Sequence, residues 1–199
     1  MPIDIWAARL ERPLTEQECE AMMPLLPPER LERLLKLHPE EKRREPLCAY
    51  LMLRMALWEK YRWKNLPEIA LAKVGKPYFP EYPHVQFNIS HTTGAVLVAL
   101  SDQPVGVDIE KIRPVSLRAM RRLVAAETEA EFFRSWVRRE ARSKRNGVGI
   151  GSMMRGEPPL QNGEYYYELD TFAGYAAGLA TRSKDELGDI RKYSLDEML

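Results

Sequence analysis

Along the chain, apolar and polar residues recur in patterns that predict helices followed by short strands, twice over. Residues 3–8, Ile-Asp-Ile-Trp-Ala-Ala, alternate weakly and predict a first strand. Thr15 with Glu18 three residues on is a capping-box pair, so a helix starts there and ends by Pro24. Pro28 suits the first turn of a second short helix, which carries Arg30, Arg33 and Lys36 on one flank. The clearest helical pattern covers about residues 46–62. There Leu47, Tyr50, Leu51, Arg54, Met55 and Trp58 recur at three- and four-residue spacing, forming an apolar face assigned to the core.

Residues 73–78 predict a turn in which Gly75 and Pro77 bracket Lys76. Phe87-Asn88-Ile89-Ser90 reads as a short strand ending at His91, and Gly94 turns the chain into the apolar strand 95–100. Asp102-Gln103-Pro104 then delivers it into Gly106-Val107-Asp108-Ile109-Glu110. Three strands linked by such short turns suggest an antiparallel arrangement. From Ser116 to Asn146 the pattern is helical, either broken near 125–128 or continuous over 125–146, and Gly147 and Gly149 stop it. Residues 151–163 read as loop, 165–169 and 175–180 as two further strands, and nothing is assigned after Thr181.

Of 199 residues, 45% are hydrophobic and 30% charged, enough for a core in one domain or two small ones. Lys and Arg (30) nearly cancel Asp and Glu (29), so the overall charge points to neither nucleic acid nor membrane. Basic residues do cluster at Lys42, Arg43 and Arg44 and at Arg138, Arg139, Arg142, Lys144 and Arg145. Phosphate binding and a solvated helix face are both open for them. Cys19 and Cys48 read as core thiols of a reducing compartment. No secretory signal and no bilayer-spanning run is visible, which makes the cytoplasm the expected location.

On an extended strand Asp108 and Glu110 point to the same side, away from Val107 and Ile109. Adjacent carboxylates repel unless a cation lies between them, and a hard divalent ion is the usual one; a solvated strand face is the plainer alternative. Trp136, Glu140 and Lys144 are spaced by four and share a helix face. They are either an ordinary surface Glu–Lys pair or a third metal carboxylate followed by a lysine that reaches a phosphate oxygen.

Phe87–His91, Gly106–Glu110 and Trp136–Gly149 together resemble the three motifs of the 4'-phosphopantetheinyl transferases, in order and with Gly75-Lys76-Pro77 in its expected place. The match is to the larger, surfactin-synthetase-activating type and covers nearly the whole chain. It implies an α/β (α+β) pseudo-dimer of two similar halves, each with a small, mainly antiparallel sheet and packed helices. The halves would be residues 1–102, with the coenzyme A phosphate contacts, and 103–199, with the metal ligands and motif helix. Asp108, Glu110 and Glu140 would bind magnesium; Lys76, Ser90, His91, Arg30, Arg33 and Lys144 would contact coenzyme A phosphates. The implied activity is transfer of the phosphopantetheine arm from coenzyme A to a serine of an apo acyl or peptidyl carrier protein, by a monomer. Glu140 is the preferred base, Asp108 its rival, and Lys144 assists.

The pattern departs from the family in places. Arg139 stands where lysine is usual, Val137 replaces Ser or Thr, and Glu45 falls where a long-helix arginine is expected, with Arg44 one residue off. The segment 123–132 is shorter than usual. These departures motivate an alternative, a coenzyme A-binding relative that no longer docks carriers. A metal-dependent phosphatase or nuclease would suit the acids but leaves Lys76, Ser90 and His91 unexplained.

Overall fold

The run 95–100 is apolar throughout because its strand has no solvent face. In the computed structural model, which describes residues 2–73, 75–149, 151, 157–182, 184 and 187–199, β5 (Ala95–Ser101) is buried at every position. It lies between β4 (Gln86–Thr92) and β1 (Ile3–Arg9), antiparallel to both. Alternate side chains go to opposite sides. Trp6, Val96, Val98 and Leu100 meet Cys48, Met52, Leu53, Ala56 and Leu57 of α3 (Arg44–Tyr61). Ile3, Ile5, Ala7, Leu97 and Ala99 meet a second sheet through Val105, Val107, Ile109 and Leu179.

That second sheet has the order β6-β8-β7, all antiparallel: β6 (Val105–Lys111), β8 (Tyr175–Thr181) and β7 (Tyr165–Glu168). Its far side is covered by α5 (Glu129–Asn146), whose Phe133 and Val137 pack with Ala176. The layers therefore run helix, sheet, sheet, helix. A β-carbon on Gly106 would collide with the backbone of Ala141 and Arg145, so glycine is what lets α5 lie directly on β6.

Around this frame sit α1 (Glu16–Met22), α2 (Pro28–Leu35), the β2–β3 pair (Ala70–Leu71, Pro77–Tyr78), α4 (Leu117–Val124) and α6 (Leu195–Met198). The capping box of Thr15 and Glu18 forms as expected. Gly147, with φ 68°, ends α5 and donates its N–H to Ser143.

Several expectations are corrected. The antiparallel arrangement expected of the three successive strands holds for β4 with β5, whereas β6 opens the second sheet and pairs with β8 instead. A single helix over 125–146 does not exist: Ala125 is left-handed, with φ 55°, and Thr128 with Glu131 forms a second capping box. Of the apolar face predicted for α3, Leu47 and Leu51 are buried and Tyr50 and Met55 pack against the core, but the buried surface extends to Ala49, Met52, Leu53 and Ala56, and Trp58 is 43% exposed. The helix is apolar on nearly every side, so periodicity could not choose a face. Cys48 is buried as expected, but Cys19 is only partly so.

The unassigned tail is ordered in a telling way. Strand β9 (Leu187–Ser194) returns to the first sheet and pairs parallel with β1, giving the order β4-β5-β1-β9. Of the predicted turn 73–78, Val74 lies outside the described residues, as do 152–156 of the predicted loop. Among the described residues no helix is long and apolar enough to cross a membrane.

Candidate active site

Strands β4 and β6 are edges of different sheets, and side chains rather than backbone join them. Asn88 Oδ1 accepts the N–H of Val107 at 2.8 Å, Ser90 Oγ that of Ile109 at 3.3 Å, and Thr92 Oγ1 that of Lys111 at 3.4 Å. Each step advances both strands by two residues, so they run side by side in parallel. The polar side chains of β4 thus satisfy the outward N–H groups that an edge strand otherwise leaves to water.

This junction carries the acids. Ser90 donates to Asp108 Oδ1 at 2.7 Å, and Thr92 donates to Glu110 Oε2 at 3.0 Å. From α5, Lys144 Nζ donates to the same Asp108 oxygen at 2.7 Å and to Ser90 Oγ at 2.9 Å. Glu140 lies one turn earlier on that helix. Its carboxyl pKa is raised, first by burial and then by Asp108, with Glu110 adding to the effect and Lys144 opposing it. That response is the electrostatic mark of three acids gathered in one place.

Two adjoining cavities open here. One of about 590 Å³ is lined by Ser90, His91, Asp108, Glu110, Glu140 and Lys144 together with Arg30 and Arg33. The other, about 390 Å³, shares Arg30, Arg33, Glu140 and Lys144 and adds Lys76. All nine residues singled out in the sequence therefore line one continuous depression between the two sheets.

Their individual settings differ from simple phosphate contacts. Arg33 is exposed, whereas Arg30 is buried, donates to the carbonyl of Ile69 at 2.5 Å, and leaves its Nε without a hydrogen-bond partner among the described residues. Lys76 Nζ donates to the backbone oxygens of Val105 at 3.1 Å and Arg145 at 3.0 Å. Burial, then the charge of Arg145, lowers its pKa to about 8. His91 stands at the cavity wall, where the surrounding protein desolvates its ring and, with the charge of Lys144, lowers its pKa.

Other basic residues turn out to be structural. Arg142 is 2% exposed and holds Glu164 with two nitrogens, at 2.7 and 3.0 Å, while Arg138 pairs with Glu157. The buried Arg142 fits neither a phosphate patch nor a solvated face, whereas Arg138 stands on the exposed face of the helix. Arg44 is occupied by Glu45 and by the carbonyl of Arg12. Sequence reasoning missed Tyr50, which lines both cavities although its spacing had put it in the core stripe. It also missed Asn88 and Thr92, whose alternation with Ser90 along β4 was the available signal.

Among the described residues no set of three or more His, Cys, Asp or Glu side chains converges tightly enough, as it stands, to hold a metal ion. The chemistry of the donors nevertheless fits a hard cation. Asp108 Oδ2 is buried without a hydrogen-bond partner among the described residues, and Glu110 and Glu140 border the same cavity.

No protein-family model matches the chain. It is 27% identical to the 4'-phosphopantetheinyl transferase Sfp of Bacillus subtilis (strain 168), over 98% of this chain and 99% of that protein. The chain is similar to this Sfp-type transferase along nearly its whole length. The likeness extends to the transferase psf-1 of Bacillus pumilus, 38% identical over 38% of each chain. It also reaches the transferase AcpT of Escherichia coli (strain K12), 41% identical over 41% of this chain and 50% of that one.

Proposed function

We propose that the protein transfers the 4'-phosphopantetheine arm of coenzyme A to a serine hydroxyl of an apo carrier protein, releasing 3',5'-ADP. The observation that carries this reading is the joint depression, in which Arg30, Arg33, Lys76 and Lys144 face the acids Asp108, Glu110 and Glu140. A polyanionic diphosphate donor needs cations to bind and to take up the charge that develops on the leaving phosphate.

In the reaction the serine oxygen forms a bond to the phosphorus that bears the pantetheine arm. The bond from that phosphorus to the bridging oxygen breaks, and its electron pair leaves with 3',5'-ADP. Glu140 takes the serine proton. Asp108 is the poorer base because its Oδ1 already accepts Ser90 and Lys144, while Glu140 has a raised pKa and a place on both cavity walls. Arg30, Arg33, Lys76 and His91 bind the phosphates, and Lys144 steadies the charge between acid and diphosphate. Asp108, Glu110 and Glu140 would hold magnesium, which when bound supplies charge neutralisation at the diphosphate.

This reading includes the pseudo-dimer, with halves at 1–102 and 103–199. In its support, β4-β5-β1 and β7-β8-β6 share one order, each pairing the last hairpin of its half with the first strand, and each sheet carries an 18-residue helix. It also includes action as a monomer in the cytoplasm, supported by the origin of all nine residues in one chain and by two free thiols.

Incubation with fluorescent coenzyme A, magnesium and a panel of apo carrier domains tests the function. Label on a carrier serine is expected. An unlabelled panel, beside a control transferase that labels it, would count decisively against the reading.

A further inference from the structure

The structure assigns Thr92 as a positioning residue that aims the Glu110 carboxylate into the acid cluster. The inference rests on the reading of Asp108, Glu110 and Glu140 as cation ligands. It starts from a contact made twice between β4 and β6. At Ser90 the hydroxyl oxygen accepts the N–H of Ile109, and its proton goes to the carboxylate of the preceding residue, Asp108. At Thr92 the oxygen accepts the N–H of Lys111, and its proton goes to the carboxylate of the preceding residue, Glu110.

A hydroxyl has one proton, so once the N–H fills a lone pair the O–H direction follows. Each hydroxyl therefore reads the position of the backbone and writes it onto the neighbouring carboxylate. For Asp108 the direction is over-determined, because Lys144 grips the same oxygen. Among the described residues Glu110 receives no such second hydrogen bond from α5. Its other partner is Arg113, an exposed side chain on the same connection, bonded at 3.1 Å to the oxygen that Thr92 holds. That arginine is itself held outside the acid cluster, by the carbonyl of Lys111 at 3.0 Å and over the ring of Phe133, so without Thr92 the partner left to Glu110 draws its carboxylate toward Arg113 and away from Asp108. Groups that orient a ligating side chain commonly change metal affinity by roughly 10- to 100-fold when removed.

The test compares wild type with Thr92→Val, which keeps the shape and deletes the hydroxyl, and Thr92→Ser, which restores it. Free Mn²⁺ is followed by electron paramagnetic resonance at saturating coenzyme A, and coenzyme A affinity is measured by calorimetry in EDTA. Expected for Thr92→Val are roughly tenfold or greater loss of Mn²⁺ affinity, unchanged coenzyme A affinity in EDTA, and recovery in Thr92→Ser. Wild-type Mn²⁺ affinity in Thr92→Val would overturn the assignment. So would a coenzyme A affinity in EDTA that falls in step with the metal, since that marks general damage to the junction. A wild-type protein that binds coenzyme A but no Mn²⁺ overturns the metal reading and this assignment with it. A wild-type protein that binds no coenzyme A defeats the proposed function itself.

Discussion

Lys76, on the turn before β3, donates to the backbone oxygen of Arg145 in the last turn of α5, 69 residues away in sequence. The same ammonium bonds Val105 at the start of β6, so one side chain ties the small β2–β3 pair to both helix and strand of the second sheet. A cation at a helix C-terminus also complements the partial negative charge of its last carbonyls.

This setting makes coenzyme A binding pH-dependent. Lys76 loses its proton near pH 8 in the folded protein, so phosphate affinity falls as pH rises past about 8. Calorimetry from pH 7 to 9 should record that fall in wild type and a flatter profile in Lys76→Arg, whose guanidinium stays charged, as expected for arginine at about pH 9. The stability term has its own sign. A lysine depressed in the fold penalises folding below about 8, and the penalty is relieved as pH rises toward the unfolded value of roughly 10.4.

Glu140→Gln should reduce transfer by about 10²- to 10⁴-fold, the usual worth of a general base. Its melting temperature should not drop. Burial, Asp108 and Glu110 all disfavour the Glu140 charge, so removing it at nearly constant volume relieves repulsion. Near-normal turnover would show that another group takes the serine proton.

Gly106→Ala should destabilise the protein by about 3 kcal/mol or more, because the new methyl meets backbone that cannot rotate aside. Urea unfolding reads this directly. An alanine variant as stable as wild type would mean that α5 can stand off from β6.

Glu164 should make the fold acid-labile. Burial alone would raise its pKa, but the Arg142 hydrogen bonds and the Gln161 N–H outweigh it and hold the carboxyl below its ordinary value. A depressed acid stabilises fully above the unfolded value of roughly 4.3, and that contribution is lost as pH falls through the folded one. Glu164→Gln should cost about 3 kcal/mol at neutral pH by leaving Arg142 and Arg145 short of a buried partner. Denaturant midpoints measured from pH 7 to 3 should show less acid dependence in the variant than in wild type.

The site was legible in the sequence to an unusual extent because its chemistry is written in short motifs. Alternation on β6 sets Asp108 and Glu110 on one side, a four-residue step on α5 stacks Glu140 over Lys144, and a Gly–Pro bracket presents Lys76. These are local consequences of strand and helix geometry. The same holds for the capping boxes at Thr15 and Thr128, although the second was passed over and its helix break left open.

What the chain's order could not decide was which surfaces meet. The buried face of α3 depends on the sheet beneath it, since nearly all its sides are apolar, and that packing put Tyr50 in the cavities and Trp58 in solvent. Pairing of β9 with β1 joins residues more than 180 apart, a contact with no local trace. The guanidinium groups of Arg142 and Arg145 look like surface charge until Glu164 arrives to bury them. The motifs named the residues and their spacing, and the stacking of two sheets between two helices brought them to one junction. There the free N–H groups of β6 had to find partners, and the side chains of β4 supply them.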